Sequence, residues 1–235
     1  MALPKLNDTP KYGMTIPSTG QEVRFRPFLV KEEKVMMLAM ETEDQQLILN
    51  SITDTLSACI VEDINTDTLT TFDVEYMFVT LRSKSVGETI DLKMLCQKCE
   101  VENKYSLKID DLKVDMGKQE MIIDLDDKIS IEMGYPTYKM VGQNLVKDLG
   151  EADLVFNVLA NCIKQVRTEE EVFSLKDEKS ADVQEFIESM NSGQFQNVQK
   201  WIEEMPKLKH TVEYECTGCN KKVTEEIEGM QSFFS

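Results

Sequence analysis

The residues of this 235-residue chain that are best suited to chemistry are four of its six cysteines. They form two C-x-x-C pairs, Cys96 with Cys99 in "LCQKCE" and Cys216 with Cys219 in "ECTGCN". A pair with this spacing can cycle between dithiol and disulfide, close a permanent disulfide, or supply half of a tetrahedral metal site. The segments around the pairs discriminate among these three kinds of chemistry.

Both pairs lie between segments in which apolar and polar residues alternate, as they do in β-strands. "ETIDLKML" and "VENKYSLKI" flank the first pair, and "KHTVEYE" and "KKVTEEIE" flank the second. We therefore expect two β-hairpins, each with a cysteine pair at its tip. Gly218 comes just before the second thiol of its pair, where we expect a residue with positive φ.

The two hairpin tips together offer four thiolates, which is the ligand set of a closed zinc site. The sequence thus predicts one structural zinc ion bound by Cys96, Cys99, Cys216 and Cys219. A redox pair would lie at a helix N-terminus in a βαβ unit, which tips between strands do not provide. A redox or transient disulfide and four metal-free thiols are the alternatives.

The two other cysteines, Cys59 and Cys162, fall on apolar helical stripes, where a free cysteine packs as a small hydrophobe. A catalytic thiol would need a histidine partner, and the chain has a single histidine, His210. The sequence also lacks the glycine-rich, zinc-protease and nucleophile-elbow motifs of common enzymes. We therefore expect no enzymatic activity.

The composition narrows the classes of partner. The chain carries 43 acidic and 26 basic residues, for a formal net charge of −17. This excess of acidic residues argues against nucleic acid as a partner, because phosphate contacts need clustered Lys and Arg. Acidic segments such as Glu169–Glu171 are either solvated faces or docking sites for a basic partner. No run of about 20 apolar residues predicts a membrane span, and the N-terminal residues lack a signal-peptide core, so we expect a cytoplasmic, reducing setting.

The periodicity of the apolar residues predicts an α+β fold in which the cysteine hairpins form the two halves of a zinc ribbon. Within the helical part, one helix begins at Val30 and another covers Phe72 to Val86, capped by Thr70 or Thr71. The predicted parts are a β arm at 1–28, a helical part at 29–88, ribbon halves at 89–108 and 208–229, and an inserted segment at 109–207.

The inserted segment combines a β-hairpin with helices. "MIIDLDDKISIEM" predicts a hairpin that turns at Asp126 and Asp127. Three helical stripes follow it: Val155, Val158, Leu159, Cys162 and Val166; Val183, Phe186, Ile187 and Met190, capped by Ser180 or Asp182; and Phe195, Val198, Trp201, Ile202 and Met205, ended by Pro206.

The stretch "RFRPFLVKEEK" mixes cations with large apolar side chains ahead of the first helix. Pro27 fixes an extended entry into that helix. Because arginine and aromatic side chains are enriched in protein interfaces, Arg24, Phe25, Arg26 and Phe28 are candidate partner-binding residues. Alternatively, Phe25 and Phe28 fasten the arm to the protein's own helices.

The segments "PSTG", "RPFLVKEEK" and "EYMFVTLRSKSVGE" resemble the T4-type bacteriophage baseplate protein family, the hub subunits or hub assembly proteins of contractile-tailed phages. The resemblance is close up to Glu88 and loose beyond it. It implies a structural or assembly role without enzymatic activity, through contacts with other baseplate hub or tail proteins. It also implies a place in the virion tail baseplate, or in the host cytoplasm during assembly. The zinc prediction rests on cysteine spacing alone.

Two other functions fit parts of the sequence. A zinc-ribbon adaptor in transcription or another host-directed process would present a basic or nucleic-acid-facing ribbon, whereas the second cysteine hairpin has mixed charge. An enzyme with an unrecognised site would need a cluster of polar side chains that the sequence does not indicate. The sequence therefore favours a non-catalytic interaction protein that is stabilised by zinc.

Overall fold

The computed structural model describes residues 9–117, 119–146 and 150–232, so residues 1–8 of the predicted arm lie outside the described residues. The chain divides into two compact units. The split unit consists of Met1–Asp115 and Lys207–Ser235, and the inserted unit consists of Met116–Pro206. The finer division into arm, helical part and ribbon halves stays a prediction.

Helices and strands occur in both units, which confirms the α+β class. The helices are α1 (Val30–Glu41), α2 (Gln45–Cys59), α3 (Thr71–Ser85), α4 (Tyr138–Val146), α5 (Glu151–Cys162), α6 (Ser180–Glu188), α7 (Ser192–Glu203) and α8 (Gly229–Ser232). The strands are β1 (Tyr12–Thr15), β2 (Glu22–Phe25), β3 (Thr89–Leu95), β4 (Glu102–Lys108), β5 (Lys113–Val114), β6 (Ile122–Asp124), β7 (Ser130–Met133), β8 (Ile163–Arg167), β9 (Val172–Ser174), β10 (Leu208–Glu215) and β11 (Lys222–Glu228). None of the described helices is long and apolar enough to cross a membrane.

Local capping decides where some of the helices begin. Thr70 and Asp73 form a capping box at the start of α3, which confirms Thr70 as its cap. At α6 the N-cap position belongs to Lys179, whose side chain makes no capping hydrogen bond. The prediction that Ser180 or Asp182 caps this helix is therefore wrong, since Ser180 is the first helical residue. Asp182 lies in the first turn, where its charge favours the positive end of the helix dipole.

Helix α3 is buried on most of its circumference, as its broad apolar stripe predicts. Phe72, Val74, Met77 and Leu81 are each at most 2% exposed. Val79 of the same helix joins a hydrophobic cluster that comes mostly from the two cysteine hairpins. Its other buried members are Ile90, Leu92, Met94, Leu107, Ile109, Leu112, Leu208 and Val212. This cluster, here called the hairpin base, packs the hairpins below their tips.

Antiparallel pairing organises the strands of the split unit. Strand β1 pairs with β2 in the arm, β3 pairs with β4, and β10 lies between β11 and β5. The two cysteine hairpins, β3–β4 and β10–β11, have corresponding registers at their tips. Leu95 lies opposite Glu102 in one, and Glu215 lies opposite Lys222 in the other. Each cysteine pair therefore follows its first strand at the same place.

The inserted unit contains a four-stranded antiparallel sheet in the order β6-β7-β8-β9. Its hydrophobic core includes Trp201, which is 5% exposed. The indole N–H of Trp201 donates a hydrogen bond to the carbonyl of Glu120 (2.7 Å), and the ring of Tyr135 stacks on it at 5.6 Å between centroids. Trp201 is thus a core residue whose polar atom is satisfied.

The prediction of a helical stripe from Val155 to Val166 is wrong for its last residue, Val166. Helix α5 ends at Cys162 and strand β8 begins at Ile163. Val166 pairs with Ile131 of β7 and with Phe173 of β9. The short run "IKQV" fits the period of a helix and that of a strand equally well. Pairing with the neighbouring strands β7 and β9 selects the strand.

Other features of the inserted unit agree with the sequence or were missed by it. The β6–β7 hairpin forms, and its turn contains the predicted Asp126. The Asp126 carboxylate accepts hydrogen bonds from the N–H groups of Lys128 and Ile129, both at 2.8 Å. Helix α4 and strands β8 and β9 of this unit, and strand β5 of the split unit, were not predicted, because each is short or carries a weak pattern.

Asp73 ties the arm to helix α3, and its loss should destabilise the split unit. The buried carboxylate accepts hydrogen bonds from the Ser18 N–H (2.8 Å), the Ser18 hydroxyl (2.6 Å) and the Thr70 N–H (3.0 Å). Asp73→Ala is expected to lower the free energy of unfolding by about 3 kcal/mol, because these donors lose their acceptor. Denaturant unfolding followed by circular dichroism measures the change. Ser18→Ala removes one donor and should cost about 1 kcal/mol; equal losses would contradict this account.

Candidate metal centre

The two cysteine pairs lie at hairpin tips with matching backbone structure. In each tip the first cysteine closes the turn through its own N–H and its own carbonyl. These bonds run from Cys96 N–H to Val101 O (3.1 Å), Glu100 N–H to Cys96 O (2.8 Å), Cys216 N–H to Lys221 O (2.9 Å) and Asn220 N–H to Cys216 O (2.9 Å). The tips therefore repeat one another, although they are far apart in the sequence.

The residue with positive φ follows the second cysteine of each pair. It is Glu100, with φ 57°, in one tip and Asn220, with φ 53°, in the other. The expectation that Gly218 has positive φ is wrong, and a different constraint acts there. A Cβ atom on Gly218 would lie 2.7 Å from Cγ2 of Val101 and 3.4 Å from Sγ of Cys99. Glycine at this position lets the second tip approach the first.

The tips bring the sulfur atoms of all four cysteines together, within 4.8 Å of one another. Sγ of Cys96 lies 3.8 Å from Sγ of Cys219, and Sγ of Cys99 lies 3.5 Å from Sγ of Cys216. Zn–S bonds of about 2.3 Å in a tetrahedral site place neighbouring sulfurs about 3.8 Å apart. The four cysteines can therefore hold a tetrahedral metal ion, with two ligands from each hairpin.

Hydrogen bonding and burial give these thiols unequal acidity. Desolvation raises the pKa of Cys216, but hydrogen bonds, among them those from the N–H groups of Gly218 and Cys219, together have a larger and opposite effect. They lower this pKa to about 6. At Cys99 the Val101 N–H lowers the pKa, while desolvation and the neighbouring sulfurs raise it to about 12. Hydrogen bonds from the N–H groups of Lys98 and Cys99 also lower the pKa of Cys96. The thiols of Cys96 and Cys216 thus lose a proton more readily than that of Cys99, where a further negative charge among the sulfurs is disfavoured. A bound cation would remove that repulsion.

Asn103 links the two tips and was not identified from the sequence. It is 4% exposed, and its Nδ2 donates to the carbonyl of Val101 in its own hairpin (2.9 Å). Its Oδ1 accepts from the N–H (2.8 Å) and the hydroxyl (3.0 Å) of Thr217 in the other tip, while Nδ2 lies 3.6 Å from Sγ of Cys216. Such a donor orients a ligand and stabilises its charge. The alternation of the strand could have identified it, because Asn103 lies on the same buried side of β4 as Leu107.

The remaining cysteines lie outside this cluster. Cys59 is 1% exposed and Cys162 is 0% exposed. Burial raises the pKa of the first to about 11 and that of the second to about 12. Both thiols are therefore protonated at neutral pH and pack as small hydrophobes. His210 lies on β10, opposite Ile227.

The four candidate partner-binding residues of the arm differ in exposure. Phe25 is 1% exposed, whereas the side chain of Arg24 is 63% exposed. Arg26 forms an ion pair with Glu32 of α1 (2.8 Å), and Phe28 is half-buried. Desolvation raises the pKa of Glu32, but hydrogen bonds led by that from Arg26 lower it to about 2. Arg26 thus fastens the arm to α1, and partner binding by the four residues stays a prediction.

A family model described as T4 bacteriophage base plate protein matches residues 9–235, nearly the whole chain. The chain belongs to this family. The resemblance seen in the N-terminal segments is confirmed, and the match continues through both cysteine pairs of this baseplate protein. It identifies a structural component of a phage tail baseplate. No curated protein and no solved structure matches the chain.

Asn103→Asp is expected to lower the affinity of the cysteine cluster for zinc by about 10- to 100-fold. The substitution replaces an N–H donor beside Cys216 with a carboxylate, which repels thiolate charge. Competition of the purified protein with a chromogenic zinc chelator measures the affinity. Gln97→Ala, at an exposed position of the first tip, is the control and should bind zinc as the wild type does. Unchanged affinity in Asn103→Asp would rule out this role.

Proposed function

We propose that this baseplate protein is a component of the baseplate hub, or a factor that assembles the hub, with a split unit stabilised by one structural zinc ion. It acts by binding other tail proteins and has no catalytic role. The convergence of Cys96, Cys99, Cys216 and Cys219 carries the zinc part of the proposal. The exposed apolar side of α1 supports the binding part.

Zinc suits the chemistry of the cluster because four thiolates in a tetrahedron are its usual structural ligands. Four protein ligands leave no open coordination position, so the ion would hold structure and would not activate water. A redox role has less support, because each pair lies between two strands. Among the described residues, no helix begins at either pair.

A zinc ion in this place would join two hairpins that the chain order separates. Cys99 and Cys216 are 117 positions apart, and the inserted unit lies between them in the sequence. Bringing such distant segments together costs chain entropy. Because the unfolded chain offers no preformed site, the free energy of zinc binding becomes free energy of folding. We therefore expect metal binding and folding of the split unit to be coupled.

Helix α1 presents an apolar surface to solvent. Its inward side carries Glu32, Met36 and Ala39, which are buried. The exposed large side chains, at least 50% exposed, are Val30, Val35, Met37, Leu38 and Met40. The exposed charged residues Lys31, Glu33, Lys34 and Glu41 lie among them. Exposed apolar side chains mixed with charged ones occur at interfaces, and methionine adapts to the shape of a partner. We propose that this surface, the α1 face, binds another hub or tail protein, during assembly in the host cytoplasm or in the virion tail.

The arm leads directly into the α1 face. Arg24 is exposed and pairs with Glu62 (2.8 Å), and Phe28 is half-buried; a partner that covers the start of α1 would contact both. Arg26 would contribute while it holds α1 through Glu32. Phe25, which is 1% exposed, would contribute by fixing the arm in place. Arg26→Ala therefore tests folding together with binding, and the α1 face offers a cleaner test.

The zinc proposal predicts about one zinc ion per chain. Native mass spectrometry of protein purified without added metal measures both the mass and the identity of the ion. Cys99→Ser should lose the ion and melt at a lower temperature, since one ligand of the closed site is removed. Cys162→Ala, a buried cysteine outside the cluster, should keep the ion. A metal-free wild type with the melting temperature of the loaded protein would overturn the proposal.

The α1 proposal predicts that the double variant Met37→Gln, Leu38→Gln binds its hub or tail partner at least about tenfold more weakly. Both side chains are more than half exposed, so the fold should keep its melting temperature. Pull-downs against the other baseplate proteins of the same phage identify the partner and measure the loss. Leu95→Gln changes an equally exposed residue of β3 and serves as control. Equal binding by all three proteins would place the interface elsewhere.

A further inference from the structure

The sheet of the inserted unit has an open edge at β9. In the strand order β6-β7-β8-β9, no described strand pairs with the outer side of β9. Val172 is 59% exposed and Phe173 is 39% exposed, so this edge carries apolar side chains. Unpaired N–H and C=O groups at an apolar edge are a template for pairing with another chain.

The register of β9 shows which of its backbone groups point outwards. The N–H of Leu175 donates to the carbonyl of Lys164 (3.0 Å), so these two residues form a hydrogen-bonded pair. Such pairs alternate with non-hydrogen-bonded pairs along an antiparallel ladder. The N–H and C=O groups of Phe173 therefore bond to β8, whereas the N–H and C=O groups of Val172 and Ser174 point away from the sheet.

Most of these outward groups are available to a partner. The carbonyl of Ser174 accepts a hydrogen bond from the N–H of Asp177 (3.0 Å). The N–H and C=O of Val172 and the N–H of Ser174 remain on the outer side. An extended segment lying antiparallel to β9 could bond to all three groups, as in peptide recognition by strand addition.

An apolar cavity of about 320 Å³ opens beside β9, on the side of the sheet that α6 covers. Its apolar lining comes from Ile129, Val166, Phe173, Leu175, Val183 and Phe186. Side chains at opposed positions of neighbouring strands point to the same face of a sheet. In an added strand, the side chain opposite Phe173 would therefore point towards this cavity. The cavity has room for a large aliphatic or aromatic side chain.

The surroundings of the cavity are acidic. Glu178 and Asp182 line it, and Glu169–Glu171 form the turn that leads into β9. The nearby basic residues in sequence are Arg167, Lys176 and Lys179, and they are outnumbered by the carboxylates of the same stretch. This charge favours a partner with Lys or Arg. It disfavours a second copy of this chain, which carries a net charge of −17.

We propose that β9 and its cavity form a docking site for an extended segment of a partner protein, in which lysine or arginine stands two residues before and two residues after a large apolar side chain, so that all three side chains point to the same face of the sheet. The segment adds a strand to the edge of the sheet, and its apolar side chain enters the cavity. Its cations face the acidic rim. This site lies apart in sequence from the cysteine cluster and from the α1 face, so its failure leaves the proposed function intact.

A synthetic peptide with the pattern lysine-threonine-leucine-threonine-lysine is the probe, because its lysines and its leucine point to the same face of an added strand. We expect it to bind the full-length protein and to slow amide hydrogen exchange at Val172 and Ser174, with Phe173 unchanged. Exchange measured by NMR at residue resolution, and affinity measured by fluorescence anisotropy, report the two effects. Raising the salt concentration should weaken binding, because the rim charges are exposed. A peptide with glutamate in place of both lysines should bind at least about tenfold more weakly.

Two variants separate strand pairing from charge. Val172→Pro removes an outward N–H and should weaken binding of the lysine peptide at least about tenfold. Glu178→Lys reverses an exposed rim charge without touching the strand, and should weaken binding even if Val172→Pro misfolds. Glu203→Lys, an exposed charge reversal on α7 that does not line the cavity, is the control.

Four results would overturn the proposal, the last two of which concern charge. The first is no binding of the lysine peptide at concentrations on the order of 1 mM. The second is exchange protection that falls on other strands and spares Val172 and Ser174. The third is equal binding of the acidic and basic peptides, and the fourth is equal weakening by Glu178→Lys and Glu203→Lys.

Discussion

The approach of two hairpin tips, to the point where four sulfur atoms nearly touch, is the constraint on which the split unit depends. It explains the absence of a side chain at Gly218, where a Cβ would meet Val101. It also explains the buried amide of Asn103, which satisfies polar atoms of both tips. Thiols held this closely cannot all ionise without a cation among them. The lack of a side chain at Gly218, the hydrogen bonds of Asn103 and the charge of the four sulfurs therefore all relate to this one contact between the tips.

With the proposed zinc ion bound, the split unit would divide its stabilisation between the hairpin tips and the hairpin base. Each fully buried aliphatic or aromatic side chain of the base contributes about 1.5–3 kcal/mol. The proposed zinc ion would add up to about 10–16 kcal/mol at neutral pH, the range for structural zinc in zinc-finger peptides, which equals several such side chains. The base fixes the direction of the hairpins, and Val79 of α3 packs into it. The tips are polar and small, so binding of a metal ion would be the strongest interaction that could hold them together.

The inserted unit has its own hydrophobic core, built around Trp201, Leu159 and Ile131. Its stabilisation therefore does not require the cysteine cluster. The exposed apolar surfaces are divided in the same way. The α1 face belongs to the split unit, and the open edge of β9 belongs to the inserted unit. With both proposed contact surfaces, one on each unit, this baseplate protein would be suited to joining two neighbours in a tail.

The sequence by itself determined the α+β class, the cysteine hairpins and the family, because alternation, the C-x-x-C spacing and the N-terminal segments are local signals. It also indicated Thr70 as a cap, since capping involves neighbouring residues. Only the tertiary structure decided that Val166 lies in a strand, that Gly218 is needed for space, and that Asn103 bridges the tips. These features depend on residues distant in the chain, Ile131, Cys99 and Thr217 among them. A local pattern cannot report such partners, because packing between distant segments selects among conformations that the local sequence allows equally.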